Sequence, residues 1–113
     1  GLDSANAATR GYCGELLLAR ARVQARQGRA DQAEGLAASG LRLKRGDLAE
    51  TDPALLDPWL CVAEVQWLGG RAADAMQTLV RAKRCGATRE DVERYPKLRP
   101  ARTRPGYPFV SSP

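Results

Sequence analysis

Apolar and small residues recur along this chain at helical rather than alternating intervals. Leu16, Leu17, Leu18, Ala19, Ala21, Val23 and Ala25 predict a helix over Glu15–Gln27, which Gly28 ends as a left-handed cap residue would. Within it Ala19-Arg20-Ala21-Arg22 alternates as a strand would, but alanine and arginine favour helix. A second helix is predicted over Ala30–Lys44. Ala30, Ala33, Ala37 and Leu41 share its face, Lys44 and Arg45 complement its dipole, and Gly46 stops it. The segment from Asp47 to Pro58 is a longer connection. Asp52-Pro53 and Asp57-Pro58 each pair a capping acid with a proline suited to a first helical position. The first predicts a single turn through Leu55-Leu56 and the second a helix over Pro58–Leu68, closed by Gly69-Gly70. A fourth helix follows over Ala72–Arg84, with Ala75, Met76, Leu79 and Ala82 on its apolar face and Cys85-Gly86 after it.

The ends are less regular. Residues 1–14 are small and polar with two late glycines. They read as a flank that frays or forms one early turn capped by Ser4. Thr88-Arg89-Glu90-Asp91 pairs a cap with an acid three residues on and predicts a short helix over 88–95. Pro96, Pro100, Pro105 and Pro108 then predict an extended segment over 96–113.

A shift of 42 residues relates the two helix pairs. Gln27-Gly28-Arg29-Ala30 overlies Gly69-Gly70-Arg71-Ala72, and Ala21, Val23, Gln24 and Ala33 overlie Ala63, Val65, Gln66 and Ala75. Repeated hairpins signal an array in which neighbours bury the face that one hairpin cannot bury alone. The expected fold class is therefore all-α, with stacked antiparallel hairpins over 15–45 and 57–85. The short helix completes a helical domain over 15–95.

Composition fits this picture. The length of 113 residues suits one domain. Hydrophobic residues make up 43%, much of it alanine, isoleucine is absent, and aromatics are 5%, which argues against a β-rich fold. Arginine outnumbers lysine by 15 to 3, a bias that points to a GC-rich bacterial source. The chain opens with Gly1 rather than methionine and reads as an excised or processed piece.

The net charge of +5 is unevenly spread. Residues 1–80 carry 9 basic and 10 acidic side chains, and residues 81–113 carry 9 and 3. The basic end reads first as a solvated terminal segment and only second as a contact for nucleic acid through Arg81, Lys83, Arg84, Arg99, Arg102 and Arg104.

Cys13, Cys61 and Cys85 form no CxxC pair, and the chain has no histidine, so no metal or other cofactor is expected. All three cysteines read as small apolar fillers in a reducing compartment. No apolar run reaches the ~18 residues of a membrane span and no signal peptide is visible, so a cytoplasmic location is expected. Glu15, Glu64 and Asp74 are helix carboxylates that nothing marks as a catalytic pair. Gly69-Gly70 lacks the Lys-Ser or Lys-Thr of a phosphate loop. The chain is expected to catalyse nothing.

The second unit resembles the tetratricopeptide repeat family. Trp59, Val62 and Ala63 match that family's large, large, small pattern, Gly70 sits at its turn, and Ala75, Leu79 and Ala82 match its small, large, small pattern. The corresponding positions of the first unit are Ala21, Gly28 and Ala33. Gln66 replaces a usual aromatic, Ala87 a usual proline, and Arg20 and Gly40 an apolar residue and an alanine. The 42-residue spacing exceeds the family's 34, a difference that the Asp47–Pro58 loop absorbs. The segment from Tyr95 to Phe109 resembles the closing segment of bacterial repeat proteins of this type, as at the C-terminal end of a larger protein.

The resemblance implies a protein–protein interaction module whose first helices line a concave groove. Glu15, Leu18, Arg22, Arg26, Leu60, Glu64 and Trp67 would face it, with Trp59 in the core. Trp67 has two readings, a groove anchor and a helix-packing tryptophan. Arg22 and Arg26 lie one turn apart and could hold an acidic group. The family's carboxylate clamp is not expected, because Leu18, Arg22, Leu60 and Glu64 stand at its places. The partner would be a protein or peptide, with further repeats supplied by other sequence or by self-association. The alternative is an accessory regulatory domain of a larger bacterial signalling enzyme.

Overall fold

The computed structural model describes residues 2–109, with side chains from Asn6 onward. Helix is the regular secondary structure of the described residues, with no strand among them. Five α-helices run over Leu2–Arg26 (α1), Ala30–Arg45 (α2), Leu56–Leu68 (α3), Ala72–Arg84 (α4) and Arg89–Glu93 (α5). Two 3-10 segments cover Pro53–Leu55 and Pro96–Thr103.

α1 packs on α2, α3 packs on α4, and both α1 and α2 pack on α3. Each of the first two pairs is antiparallel. Lys44 donates to Glu15 across the first at 2.9 Å, and Thr78 donates to Gln66 across the second at 2.6 Å. The turns between partners are built alike. Gly28 and Gly70 take φ of 82° and 80°, which glycine adopts without a Cβ clash. The N–H groups of Arg29 and Arg71 each donate at 2.9 Å to the carbonyls of Gln24 and Gln66, closing a Schellman-type end. At these turns the 42-residue shift therefore holds for backbone conformation as well as for sequence.

Alanine forms much of the core. Ala21, Ala33, Ala63, Ala75 and Ala82 have no exposed surface, and small side chains there let the helix axes come close. Leu55, Leu60, Leu79 and Leu98 fill the larger gaps, and Trp59 is buried beside them. The Trp59 indole N–H and the Cys85 thiol both donate to the Glu50 carbonyl, at 3.4 and 3.2 Å. They fasten the inter-pair loop to α3 and α4.

The structure corrects several expectations. α1 begins at Leu2, not near Glu15, so the expected N-terminal flank is three more turns of helix. Ser4 lies inside that helix, and its side chain is outside the described residues. Gly11 and Gly14 do not break α1. Gly14 is buried where α2 crosses, and a Cβ there would fall 2.8 Å from Lys44 Cγ and 2.9 Å from the Gly40 carbonyl. α3 starts at Leu56, with Leu55 rather than Asp57 at its cap position, because the Asp57 carboxylate is taken by Tyr95 and Arg94. Asp52 does cap its 3-10 turn, accepting from Ala54 N–H at 2.8 Å.

The segment expected to be extended coils instead through Pro96–Thr103 and packs on α3 and α5. Three-residue turns tolerate proline better than α-helix does, and Leu98 and Ala101 gain burial by it. Tyr107 and Phe109 then meet edge to face at 5.7 Å and are buried. Residues 110–113 of the expected segment lie outside the described residues. Finally, Cys61 and Cys85 are buried, but Cys13 is exposed and fills nothing.

Candidate functional site

Two polar constructions lie where α1 and α2 meet the second helix pair. The first is an ion cluster. The Glu64 carboxylate is fully buried on α3, and the sequence supplies two α1 cations to meet it. Arg22 Nε donates to Glu64 Oε1 at 2.8 Å and its Nη2 to Oε2 at 3.5 Å, while Arg26 Nη2 reaches Oε1 at 3.4 Å. Burial works against the charge on Arg22, but the hydrogen bond and charge of Glu64 outweigh it, so the guanidinium titrates above its usual range. The same guanidinium lies 4.4 Å over the Tyr95 ring.

Tyr95 continues the network. Its hydroxyl donates to Asp57 Oδ1 at 2.9 Å and lies 3.8 Å from Cys61 Sγ. A phenol has one proton, and Asp57 takes it, so the thiol is the donor toward the Tyr95 oxygen. Burial raises the Tyr95 pKa well above its ordinary value, with Cys61 and Asp57 adding to the effect. Burial likewise pushes the Cys61 thiol up. Both groups are held protonated, and neither is poised as a nucleophile. A small pocket of about 230 Å3 opens beside them, between Leu18, Arg22, Lys44, Asp57 and Cys61.

The second construction is a cleft of about 480 Å3 between α2, α3 and α4. Ala37 and Val65, both buried, form its floor, and Leu41, Val62 and Trp59 line its walls. Its rim is charged. Arg71 bridges Glu34 at 3.1 Å and Asp74 at 2.7 Å, and Arg81 pairs with Glu50 at 3.3 Å while lying 5.3 Å over the Trp59 ring. An apolar floor inside a ring of hydrogen-bonding groups is the usual chemistry of a binding cleft. The shift of 42 gave no sign of it, because its residues come from three helices at unrelated repeat positions.

Of the seven residues expected on one groove face, Glu15, Leu18 and Arg22 line the small pocket, and Arg22, Arg26 and Glu64 form the ion cluster. Leu18 and Leu60 are 4% and 0% exposed and pack in the core, and Glu64 is spent inside the ion cluster. Leu60 and Glu64 line no open surface, while Leu18 joins Glu15 and Arg22 in lining the pocket between α1 and α3. Arg22 and Arg26 do grip an acid, but it is this chain's own Glu64. Glu15 is exposed and bonded to Lys44. Trp67 is half-buried and lies apart, 5.7 Å under the Arg104 guanidinium, with Gly70, Ala72 and Pro100 beside it. Tyr95, Asp57, Glu34 and Arg71 were not singled out by the sequence. Arg22, Arg26 and Glu64 carried a signal, the arginines as a pair one turn apart and Glu64 as the opposite charge at the position equivalent to Arg22.

The basic residues of the last third are partly engaged. Arg81 is paired as above, Lys83 donates to the Pro108 carbonyl at 3.0 Å, Arg102 pairs with Glu93, and Arg104 covers Trp67. Among the described residues no helix is long and apolar enough to cross a membrane, and no cluster of three or more His, Cys, Asp or Glu could hold a metal ion.

Fold and site define an all-helical chain with two like helix pairs, joined by a buried ion cluster and flanked by an amphipathic cleft. Comparison with protein-family models, with curated proteins and with solved structures finds no match for it.

Proposed function

We propose that this chain is a non-catalytic protein-binding module of tetratricopeptide-repeat type, and that its partner peptide seats in the cleft between α2, α3 and α4. The observation that carries the reading is the cleft's construction. Its apolar floor is open, while its charged rim is held in place by ion pairs within the chain. A volume of about 480 Å3 accommodates a few side chains of a segment laid across the helices. Support for the repeat-type assignment comes from the like turns at Gly28 and Gly70 and from the buried alanines at equivalent positions. Support for binding over catalysis comes from the protonated, internally committed state of Cys61 and Tyr95.

The cleft, rather than the first-helix face, is the better platform because Leu60 and Glu64 are inside the fold and the pocket left on that face is smaller. Ala38 is exposed at the cleft wall, so Ala38→Trp fills the space without disturbing the core. The test is a pull-down with the parent chain, Ala38→Trp and Trp67→Ala in parallel. The cleft reading expects Ala38→Trp to lose partners that Trp67→Ala retains. Full retention by Ala38→Trp would sink it.

A further inference from the structure

The two ends of the helical stack differ. The far side of the second pair is covered by α5, the 3-10 segment and the Tyr107–Phe109 contact. The outer side of the first pair is bare. On α1, Tyr12, Leu16 and Val23 are 63%, 53% and 50% exposed, and Ala19 between them is exposed too, at the edge of the pocket between α1 and α3. Their 4-3-4 spacing places all four within about 60° of the helix circumference, one continuous apolar strip with no charge inside it.

The chain itself shows what such a strip is for. Forty-two residues on, Leu16, Ala19 and Val23 become Pro58, Cys61 and Val65, all buried where α3 meets the first pair. Three of the strip's four positions therefore belong to the packing face of this helix type, left uncovered on α1, while Tyr12 corresponds to the exposed Ala54. The first turns of α1 also project beyond α2. α2 ends opposite the Gly14 region, and residues 6–10 are exposed.

We propose that a second copy of this chain covers the strip, through antiparallel packing of α1 on α1 about a two-fold axis. Three observations select that occupant. The strip is self-complementary in this direction: Tyr12 faces Val23 and Leu16 faces Ala19, so large meets small at each level. The projecting turns of each α1 then lie along the C-terminal half of the other. And the closed far end stops one copy from adding to the back of another, so association ends at two chains. The last 3-10 segment packs on α3 and α5, and residues 1–80 are near neutral, with 9 basic and 10 acidic side chains, so like-charge repulsion across the axis is small.

This inference is independent of the cleft reading, because the cleft lies between α2, α3 and α4. The experiment is sedimentation equilibrium on the full chain, with circular dichroism as a check on folding. The parent is expected to dimerise below about 1 mM. Leu16→Glu is expected to raise the dimer dissociation constant at least about tenfold with helix content unchanged, because position 16 is exposed in the single chain. If Leu16→Glu loses helix, Ala19→Glu, on the same strip, gives the same reading. For the direction of packing, Cys13→Ser chains carrying Leu16→Cys are mixed with Cys13→Ser chains carrying Ala19→Cys and oxidised. The mixed disulfide is expected in preference to either symmetric one. A parent that stays monomeric to about 1 mM, a dimer indifferent to the glutamate substitutions, or no preference for the mixed disulfide would each overturn the proposal.

Discussion

Arg22 and Glu64 occupy the same position in two successive helix pairs, and their side chains meet at 2.8 Å across the junction. Arg22 stands on the inner side of α1, and the Glu64 side chain reaches back to it from α3. The contact ties together two units that lie 42 residues apart in the chain.

The energetic expectation follows from burial. Arg22→Met leaves the buried Glu64 carboxylate with only Arg26, at 3.4 Å. Breaking a buried pair on one side costs about 3–5 kcal/mol. With Arg26 remaining and Arg22 itself partly exposed, about 2–3 kcal/mol is expected. The double variant Arg22→Met with Glu64→Leu removes both charges and is expected to lose less than either single change. Urea unfolding of the four proteins in a double-mutant cycle measures the coupling. A cycle that closes additively would show the contact to be idle.

Glycines 11 and 40 separate two effects that alanine usually mixes. Gly11 lies in α1 with nothing within 4 Å of the methyl that alanine would add, so Gly11→Ala gains helix propensity alone, about 1 kcal/mol. At Gly40 the same methyl would lie 2.9 Å from the Gly14 carbonyl oxygen and 3.1 Å from the Leu18 nitrogen. Backbone cannot step aside as a side chain can. Overpacking costs about 1–3 kcal/mol and exceeds the propensity gain. Thermal or urea unfolding is expected to move in opposite directions for the two variants.

The short helix α5 has a pH-sensitive start. The Thr88 N–H donates to Asp91 Oδ2 at 2.8 Å, and this bond, with Arg94 nearby, holds the Asp91 carboxyl below its ordinary value of 3.8. A depressed carboxyl stabilises the fold where it is ionised. The contribution is complete above the unfolded value, and is lost as pH falls through the lower folded value. Titration of the Asp91 side-chain carbon by NMR is expected to give a midpoint under 3.8, and Thr88→Ala, which removes the hydroxyl but keeps the backbone N–H, is expected to return it only part of the way.

The cysteines make a simple probe of the fold. Cys13 is exposed, while Cys61 and Cys85 are buried, with burial raising both thiols. Brief alkylation of the native chain followed by mass analysis is expected to label Cys13 first, with Cys61 and Cys85 reacting only after denaturant is added. Early labelling of Cys61 would contradict the packing of α3 against α1.

Much of the helical order is legible in the residues. Gly28 and Gly70 mark their turns because left-handed φ leaves glycine as the natural choice, and the alanines mark the close contacts. Thr88 and Asp52 mark caps by local hydrogen bonding, which depends on near neighbours only. What depends on distant neighbours is not legible. Gly14 has the look of a breaker, yet it serves the approach of Gly40. Asp57 has the form of a cap, yet Tyr95 and Arg94 take its carboxylate from 38 and 37 residues away. The prolines after Tyr95 rule out α-helix but not the tighter 3-10 turns that bury Leu98. The same limit applies to the groove face, where Glu15, Leu18 and Arg22 line one pocket but Leu60 and Glu64 are buried. A single helix pattern cannot say which of its faces the next pair will cover, and so could not tell that Leu60 and Glu64 go inward.

The wrap of residues 96–109 across the second pair has a consequence for how the molecule comes apart. In an open array of repeats, each unit can melt nearly alone. Here Lys83 holds the Pro108 carbonyl, Leu98 is sealed against α3, and Arg22 reaches Glu64 and Tyr95 at once. Loosening the last segment therefore withdraws support from both pairs together, and the chain should lose its structure in one cooperative transition rather than in steps.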